Sequence, residues 1–156
     1  MNKVKVLVMD VDGTLTNGSI YVGECGEVMK VFDVKDGYAI KNILNQYNIV
    51  PIVITGRKSK IVEYRCNELG IHELYQGIDN KLCLLEKLVN RMGIEISEVA
   101  YIGDDMNDIE CMKKVGFSGC PYDGSEAVKR ISDYVCTKQG GKGAVREFIE
   151  WLINER

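Results

Sequence analysis

The chain has a single histidine, His72, in 156 residues, and only two prolines and one tryptophan. His72 follows Gly70-Ile71 with no serine and acid grouped around it. Serine-histidine and histidine-phosphate chemistry are therefore excluded, and a structural or surface role is expected for this residue. The six cysteines include no C-x-x-C pair and no histidine at zinc-like spacing, which argues for reduced, mostly buried thiols. Basic residues are not in excess: the formal net charge is −3, so composition offers no surface for nucleic acid. No apolar run approaches the ~20 residues of a membrane span. Met1-Asn2-Lys3 leads straight into a strand with no small-residue cleavage site behind it, so no signal peptide is read and a cytoplasmic location is expected. Asn17-Gly18-Ser19 matches a glycosylation acceptor, but without a secretion signal it reads as a glycine turn. A hydrophobic fraction of 46% with 28% charged residues suits one soluble domain over residues 1–156.

The pattern that is present is organised around Asp10-Val11-Asp12-Gly13-Thr14, where two carboxylates break the apolar run Val4, Val6, Leu7, Val8, Met9. In extended geometry Asp10 and Asp12 would point the same way, and Gly13 lets the backbone turn just after them. Residues 20–22 and 28–32 flank Gly23-Glu24-Cys25-Gly26 and read as a β-hairpin flap over residues 20–32. Asp36 precedes a helical stripe of Ile40, Ile43, Leu44 and Tyr47, and residues 49–54 form a continuous apolar strand ending at Thr55-Gly56-Arg57. Helical periods follow at 59–69 and 80–92, with short strands expected at 73–75, 99–102, near 117–119 and at 134–135. Further helices are expected from Gly103-Asp104-Asp105 to about 115 and over 125–131, and a last one behind the cluster Gly140-Gly141-Lys142-Gly143, inside a tail of about 137–156. Strands alternating with helices of this length indicate an α/β, Rossmann-like fold with a mostly parallel sheet and helices on both faces.

Ligands bind beyond the carboxyl ends of such strands, where Asp10, Asp12, Thr55, Gly56 and Asp104/Asp105 all fall, with Asp108 one turn further on and Lys81 opening a helix. Carboxylates from two strand ends repel one another, and a hard divalent ion such as Mg²⁺ relieves that cost. Beside such an ion, Asp10 can attack phosphorus as a nucleophile. Asp12 can protonate the leaving alcohol and later deprotonate water, while Thr55 and Lys81 neutralise the phosphoryl oxygens. Residues 13–54 and 56–80 are too few to hold a cap domain beside their helices, so the site is capless within one chain. A sugar phosphate then needs other parts to exclude water and grip it.

In these motifs the chain resembles the haloacid dehalogenase superfamily of phosphatases, which carry D-x-D-G-[TV], a Thr or Ser after the second strand, a lysine, and G-D-D-x-x-D. It is more similar still to the 3-deoxy-D-manno-octulosonate 8-phosphate phosphatases and their nonulosonate 9-phosphate relatives. The shared stretches run from Asp12 to Gly18 and through Thr55-Gly56-Arg57, Arg65, Gln76-Gly77, residues 99–108 and residues 140–147. The resemblance implies Mg²⁺ held by Asp10, Asp104 and the backbone carbonyl of Asp12, with Asp105 and Asp108 behind them. It also implies a homotetramer whose flaps and tails cover neighbouring sites, and a small-molecule sugar acid phosphate as substrate. Candidates to grip that substrate are Lys35, Asp36, Arg57, Arg65 and the backbone of Gly140, Gly141, Lys142 and Gly143. Lys35 departs from the arginine usual before Asp36-Gly37 and lacks its bidentate fork, whereas Arg57 fits the octulosonate pattern better than the nonulosonate one. A signalling receiver domain is opposed by strand order, and a non-catalytic oligomerisation module by the intact Asp10, Asp12, Lys81 and Asp104. A dehalogenase would have no use for Asp12.

Overall fold

The computed structural model describes residues 4–155. Its centre is β1 (Val6–Met9), whose four residues are all apolar and all buried. Strands of this composition sit inside a sheet covered on both faces. β1 pairs in parallel with β4 (Val50–Ile54) on one side and β6 (Val99–Ile102) on the other, Val6 standing opposite Val50 and Val99. Beyond β4 lies β5 (Glu73–Tyr75), and beyond β6 lie β7 (Phe117–Cys120) and β8 (Tyr134–Val135). The six-stranded order is β5-β4-β1-β6-β7-β8, parallel throughout.

Alternation along the strands divides the core in two. Leu7, Met9, Val53, Ala100 and Ile102 face one layer of helices: α1 (Val34–Tyr38) running into α2 (Leu44–Gln46), α3 (Lys60–Leu69) and α7 (Ala144–Glu155). Val6, Val8, Ile52, Ile54 and Tyr101 face the other, formed by α4 (Lys81–Met92), α5 (Ile109–Met112) and α6 (Glu126–Lys129). Local signals set the helix ends: Ser59 and Asn80 cap α3 and α4 through their side chains, and Gly70 and Gly93 close them in the left-handed conformation. Cys66, Cys111, Cys120 and Cys136 are buried free thiols, and His72 is exposed.

The helix expected from Asp36 begins at Val34 instead, because the Asp33 carboxylate accepts from the amides of Lys35 and Asp36. Between α1 and α2 the turn Ala39–Ile43 is widened to π geometry. The helices expected to reach 115 and to span 125–131 are shorter. The first opens as a tight turn, Met106–Asp108, because the Asp108 side chain folds back onto backbone amides. The flap is a two-stranded hairpin, β2 (Tyr21–Gly23) and β3 (Gly26–Met29), separate from the main sheet. Among the described residues, no helix is long and apolar enough to cross a membrane.

Candidate active site

The chain leaves β1 to one side for β4 and later returns on the other side as β6, so a crevice opens where β1, β4 and β6 end. Asp10, Thr55 and Asp104 stand there within two residues of those strand ends. Carboxylate oxygens of Asp10, Asp104 and Asp108 all lie within 4.8 Å of one another. The Lys81 ammonium, on the first turn of α4 and only 2% exposed, donates to Asp10 Oδ1 at 2.7 Å and to Asp108 Oδ1 at 2.8 Å. Thr14 Oγ1 donates to Asp104 Oδ1 at 3.0 Å.

Asp108 is fully engaged: the Tyr101 hydroxyl donates to its Oδ1 at 2.7 Å, and the amides of Asp104 and Asp105 donate to its Oδ2. It orients Lys81 and the loop after β6, and its oxygens are already committed. Asp10 and Asp104 remain as the open carboxylates. Burial and then Asp108 push the Asp10 carboxyl up to about 6 despite Lys81. Burial, Asp10 and Asp108 push Asp104 up to about 8. Lys81 behaves oppositely: burial works against its charge, but Asp10 and Asp108 outweigh that and raise its pKa. Three carboxylates share one buried ammonium, and the arrangement is short of positive charge. Hard oxygen donors with such a deficit fit a divalent cation of the Mg²⁺ class, held by Asp10 and Asp104.

The backbone is extended at Asp10 (φ −76°, ψ 168°) and again at Asp12 (φ −74°, ψ 112°), and Gly13 at φ +94° turns the chain just after them. The Asp12 carboxylate pairs with the buried Lys30 ammonium of the flap, which also reaches Glu27 Oε2 at 3.1 Å. Arg57 stands 3.9 Å from Asp12 and 3.7 Å from Glu27, its side chain 52% exposed at the mouth of the crevice. Ser59 Oγ donates to Glu27 Oε1 at 2.5 Å. Burial opposes the charge of Glu27, but Ser59, Lys30 and Arg57 hold its carboxyl below the usual range. The flap is thus tied by its own charges to the loops after β1 and β4.

Several other expected residues make contacts within the chain. Asp105 is exposed and caps the turn Met106–Asp108. Asp36 is buried and accepts at Oδ1 from the Arg146 amide at 2.8 Å, with the Gly143 amide also directed to it, so it caps α7. Arg65 bonds Glu68 at 3.1 Å, lies over the Phe32 ring and packs against Gly37, holding α3 to α1. Lys35 is exposed on α1, and Thr55 is buried at the end of β4 with Gly56 exposed after it. The amides of residues 140–143 are already taken: Gly140 donates to Asp123, Gly141 to the Thr14 carbonyl, Lys142 to the Gln139 carbonyl and Gly143 to Asp36. Sequence reasoning missed Lys30, Glu27, Ser59 and Tyr101. Only Tyr101 carried a signal, since a tyrosine inside an apolar strand needs a partner for its hydroxyl.

A sequence model of haloacid dehalogenase-like hydrolases matches residues 54–149. The 3-deoxy-D-manno-octulosonate 8-phosphate phosphatases KdsC of Salmonella typhi and Escherichia coli K12 are each 45% identical over 150 residues, covering 96% of this chain and 79% of theirs. A crystal structure of the Moraxella catarrhalis phosphatase of that name, in complex with magnesium, phosphate and KDO, superposes with a TM-score of 0.94. It shares 41% identity and covers 99% of this chain and 88% of that one. The cobalt-bound Haemophilus influenzae phosphatase gives a TM-score of 0.93 at 35% identity, over 98% of this chain and 89% of its own.

Proposed function

Because this chain belongs to the haloacid dehalogenase-like hydrolase family, we propose that it is a Mg²⁺-dependent phosphatase that hydrolyses a phosphorylated 2-keto-3-deoxy sugar acid, 3-deoxy-D-manno-octulosonate 8-phosphate. The observation that carries the reading is Asp10, buried at the end of the central strand, held at 2.7 Å by Lys81 and facing a second carboxylate in a cluster that lacks positive charge.

Asp10 attacks phosphorus, the ester P–O bond breaks, and Asp12 delivers a proton to the leaving sugar oxygen. Water then attacks the aspartyl-phosphate, Asp12 takes its proton, and inorganic phosphate leaves with Asp10 restored. The Lys81 hydrogen bond fixes which oxygen of Asp10 is free to attack. Thr55 and Gly56, at the end of β4, are on the side where phosphoryl oxygens would lie. When bound to Asp10 and Asp104, Mg²⁺ supplies the charge that neutralises those oxygens. The assignment of the second aspartate as acid and base is supported by its place two residues after Asp10 and beside Arg57 at the crevice mouth, where the leaving group would face. Arg57 and Lys35 remain the side chains available to a sugar-acid carboxylate. The same reading makes the protein a cytoplasmic homo-oligomer, most simply a tetramer, supported by exposed apolar residues on and beside the flap: Val22, Val28, Met29 and Val31.

The test is phosphate release from a panel containing 3-deoxy-D-manno-octulosonate 8-phosphate, N-acetylneuraminate 9-phosphate and neutral sugar phosphates, with Mg²⁺ and with EDTA. We expect the octulosonate to lead in kcat/KM by ~10-fold or more, EDTA to silence the enzyme, and Asp10→Asn to abolish turnover. Preference for the nine-carbon acid, which the exposed Lys35 in place of arginine would accompany, replaces the substrate. Turnover by Asp10→Asn at near wild-type rate overturns the mechanism.

A further inference from the structure

The segment around Gly140 and Gly141 lies against the back of the loop that carries Asp10 and Asp12. The contact is between backbones. A Cβ placed on Gly140 would sit 1.9 Å from the Gly13 carbonyl oxygen and 2.8 Å from that of Thr16. A Cβ on Gly141 would lie 2.7 Å from the Asn17 nitrogen, and the Gly141 amide donates to the Thr14 carbonyl at 3.1 Å. On its opposite side the same loop is just as close to the acidic cluster, since a Cβ on Gly13 would lie 2.0 Å from Asp104 Oδ2. The Asp104 carboxylate, the Gly13 peptide and the Gly140 backbone therefore stack with no side chain between them.

We propose that Gly140 and Gly141 are positioning residues, which set the loop bearing Asp10 at the distance from Asp104 that a divalent cation requires. The segment is braced to do so. The Gly140 amide is held by Asp123 Oδ1 at 2.9 Å, and the Tyr122 amide donates to the Lys138 carbonyl at 2.9 Å. From the other side the buried Asp36 accepts from the amides of Gly143 and Arg146. Pinned at both ends, the glycine turn cannot retreat when crowded, so an added methyl must push on Gly13 and through it on Asp104. Neither neighbour of the missing Cβ is the movable end of a long side chain. Both are backbone carbonyls of the catalytic loop. To reach ordinary contact the Gly13 carbonyl oxygen must move from 1.9 Å to at least 3.4 Å, whereas a displacement of only ~1 Å can cost ~10²-fold in rate when it moves reacting groups.

The inference rests on the phosphatase reading only in its kinetic arm; metal binding is measured without substrate. Mg²⁺ affinity is read by titration calorimetry, and folding by circular dichroism and thermal melting, for the full chain and three variants. Gly140→Ala should weaken Mg²⁺ binding ~10-fold or more, as loss of a ligand's support does, and cut kcat/KM ~10²-fold. Asp123→Ala, on an exposed residue, frees the Gly140 amide without adding bulk and should weaken Mg²⁺ binding by about threefold or more, part of one hydrogen bond's worth. Phe148→Leu, in the α7 core against Gly119 and Trp151, should lower the melting temperature while leaving Mg²⁺ affinity within about twofold, being independent of the cluster. A folded Gly140→Ala protein with wild-type Mg²⁺ affinity overturns the proposal, as does a Phe148→Leu protein that loses affinity equally. If Gly140→Ala does not fold, unchanged affinity in Asp123→Ala overturns it.

Discussion

Replacing Asp104 by asparagine should stabilise the metal-free protein while destroying its activity. In the folded chain the Asp104 carboxyl is pushed from 3.8 to about 8, first by burial and then by Asp10 and Asp108. A folded pKa raised above the unfolded value means that the native state binds the extra proton. Its contribution is fully present below the unfolded pKa and is lost as pH rises through the folded one. Between pH 4 and pH 8 the metal-free wild type should therefore lose stability steadily. At one unit per 1.36 kcal/mol the shift sets a ceiling of about 6 kcal/mol. Solvent reaching this partly exposed group reduces the expected gain from Asp104→Asn to about 2 kcal/mol at pH 8. Asparagine keeps an acceptor for Thr14 Oγ1 and offers its amide to Asp10, so the neutral variant leaves no group orphaned. The assay is urea unfolding in EDTA at pH 5 and pH 8, repeated with saturating Mg²⁺. The variant should exceed the wild type in EDTA at pH 8, exceed it by much less at pH 5, and gain little from Mg²⁺, whereas the wild type should gain markedly. A variant less stable than the wild type in EDTA at pH 8 would refute the repulsion on which the metal site was argued.

Arg57→Ala removes the exposed guanidinium 3.9 Å from Asp12, and should raise KM for the sugar-acid phosphate ~10-fold or more while altering p-nitrophenyl phosphate turnover little, because a carboxylate contact acts in ground and transition states alike. Equal losses on both substrates in initial-rate assays would assign Arg57 to the phosphate site. The flap exposes 71% of Val22 and 61% of Val28, and Val34 beside it is 78% exposed. Light scattering should therefore find a homo-oligomer, and a fully active monomer at micromolar concentration would sink that assignment.

Much of the site was legible because a parallel sheet writes its ligand-binding edge into the chain. Each buried strand is a continuous apolar run, and the first polar residues after it stand at the rim. Asp10, Thr55 and Asp104 thus group together from the sequence alone. The partners of Asp12 were harder to read: Gly13 at φ +94° turns the chain just after it, and its carboxylate meets Lys30 of the flap. No local pattern could indicate Lys30 or Glu27, since each is an ordinary charge on a hairpin until the flap folds over the crevice. The helix after β6 opens late for a related reason, because Asp108 spends its side chain on the amides of Asp104 and Asp105.

The glycine cluster shows where sequence logic and packing diverge. Four amides in a row invite the reading of an anion-gripping loop, but an amide's availability is a tertiary property, and here every one of them has an internal acceptor. What glycine supplies at position 140 is the absence of a Cβ, which would lie 1.9 Å from the Gly13 carbonyl oxygen. The acidic cluster obeys the same logic in charge rather than volume. Asp10, Asp104 and Asp108 against Lys81 alone are costly to bury, and a chain under selection for stability alone would place asparagine among them. A structure that keeps the three carboxylates, ties one of them fully to Lys81, Tyr101 and two amides, and packs backbone on backbone behind the other two has its stability spent on holding an open pair of oxygens for a cation. Removing charge there should therefore raise stability, and adding a methyl behind it should lower metal affinity, two outcomes that a merely structural cluster would not produce together.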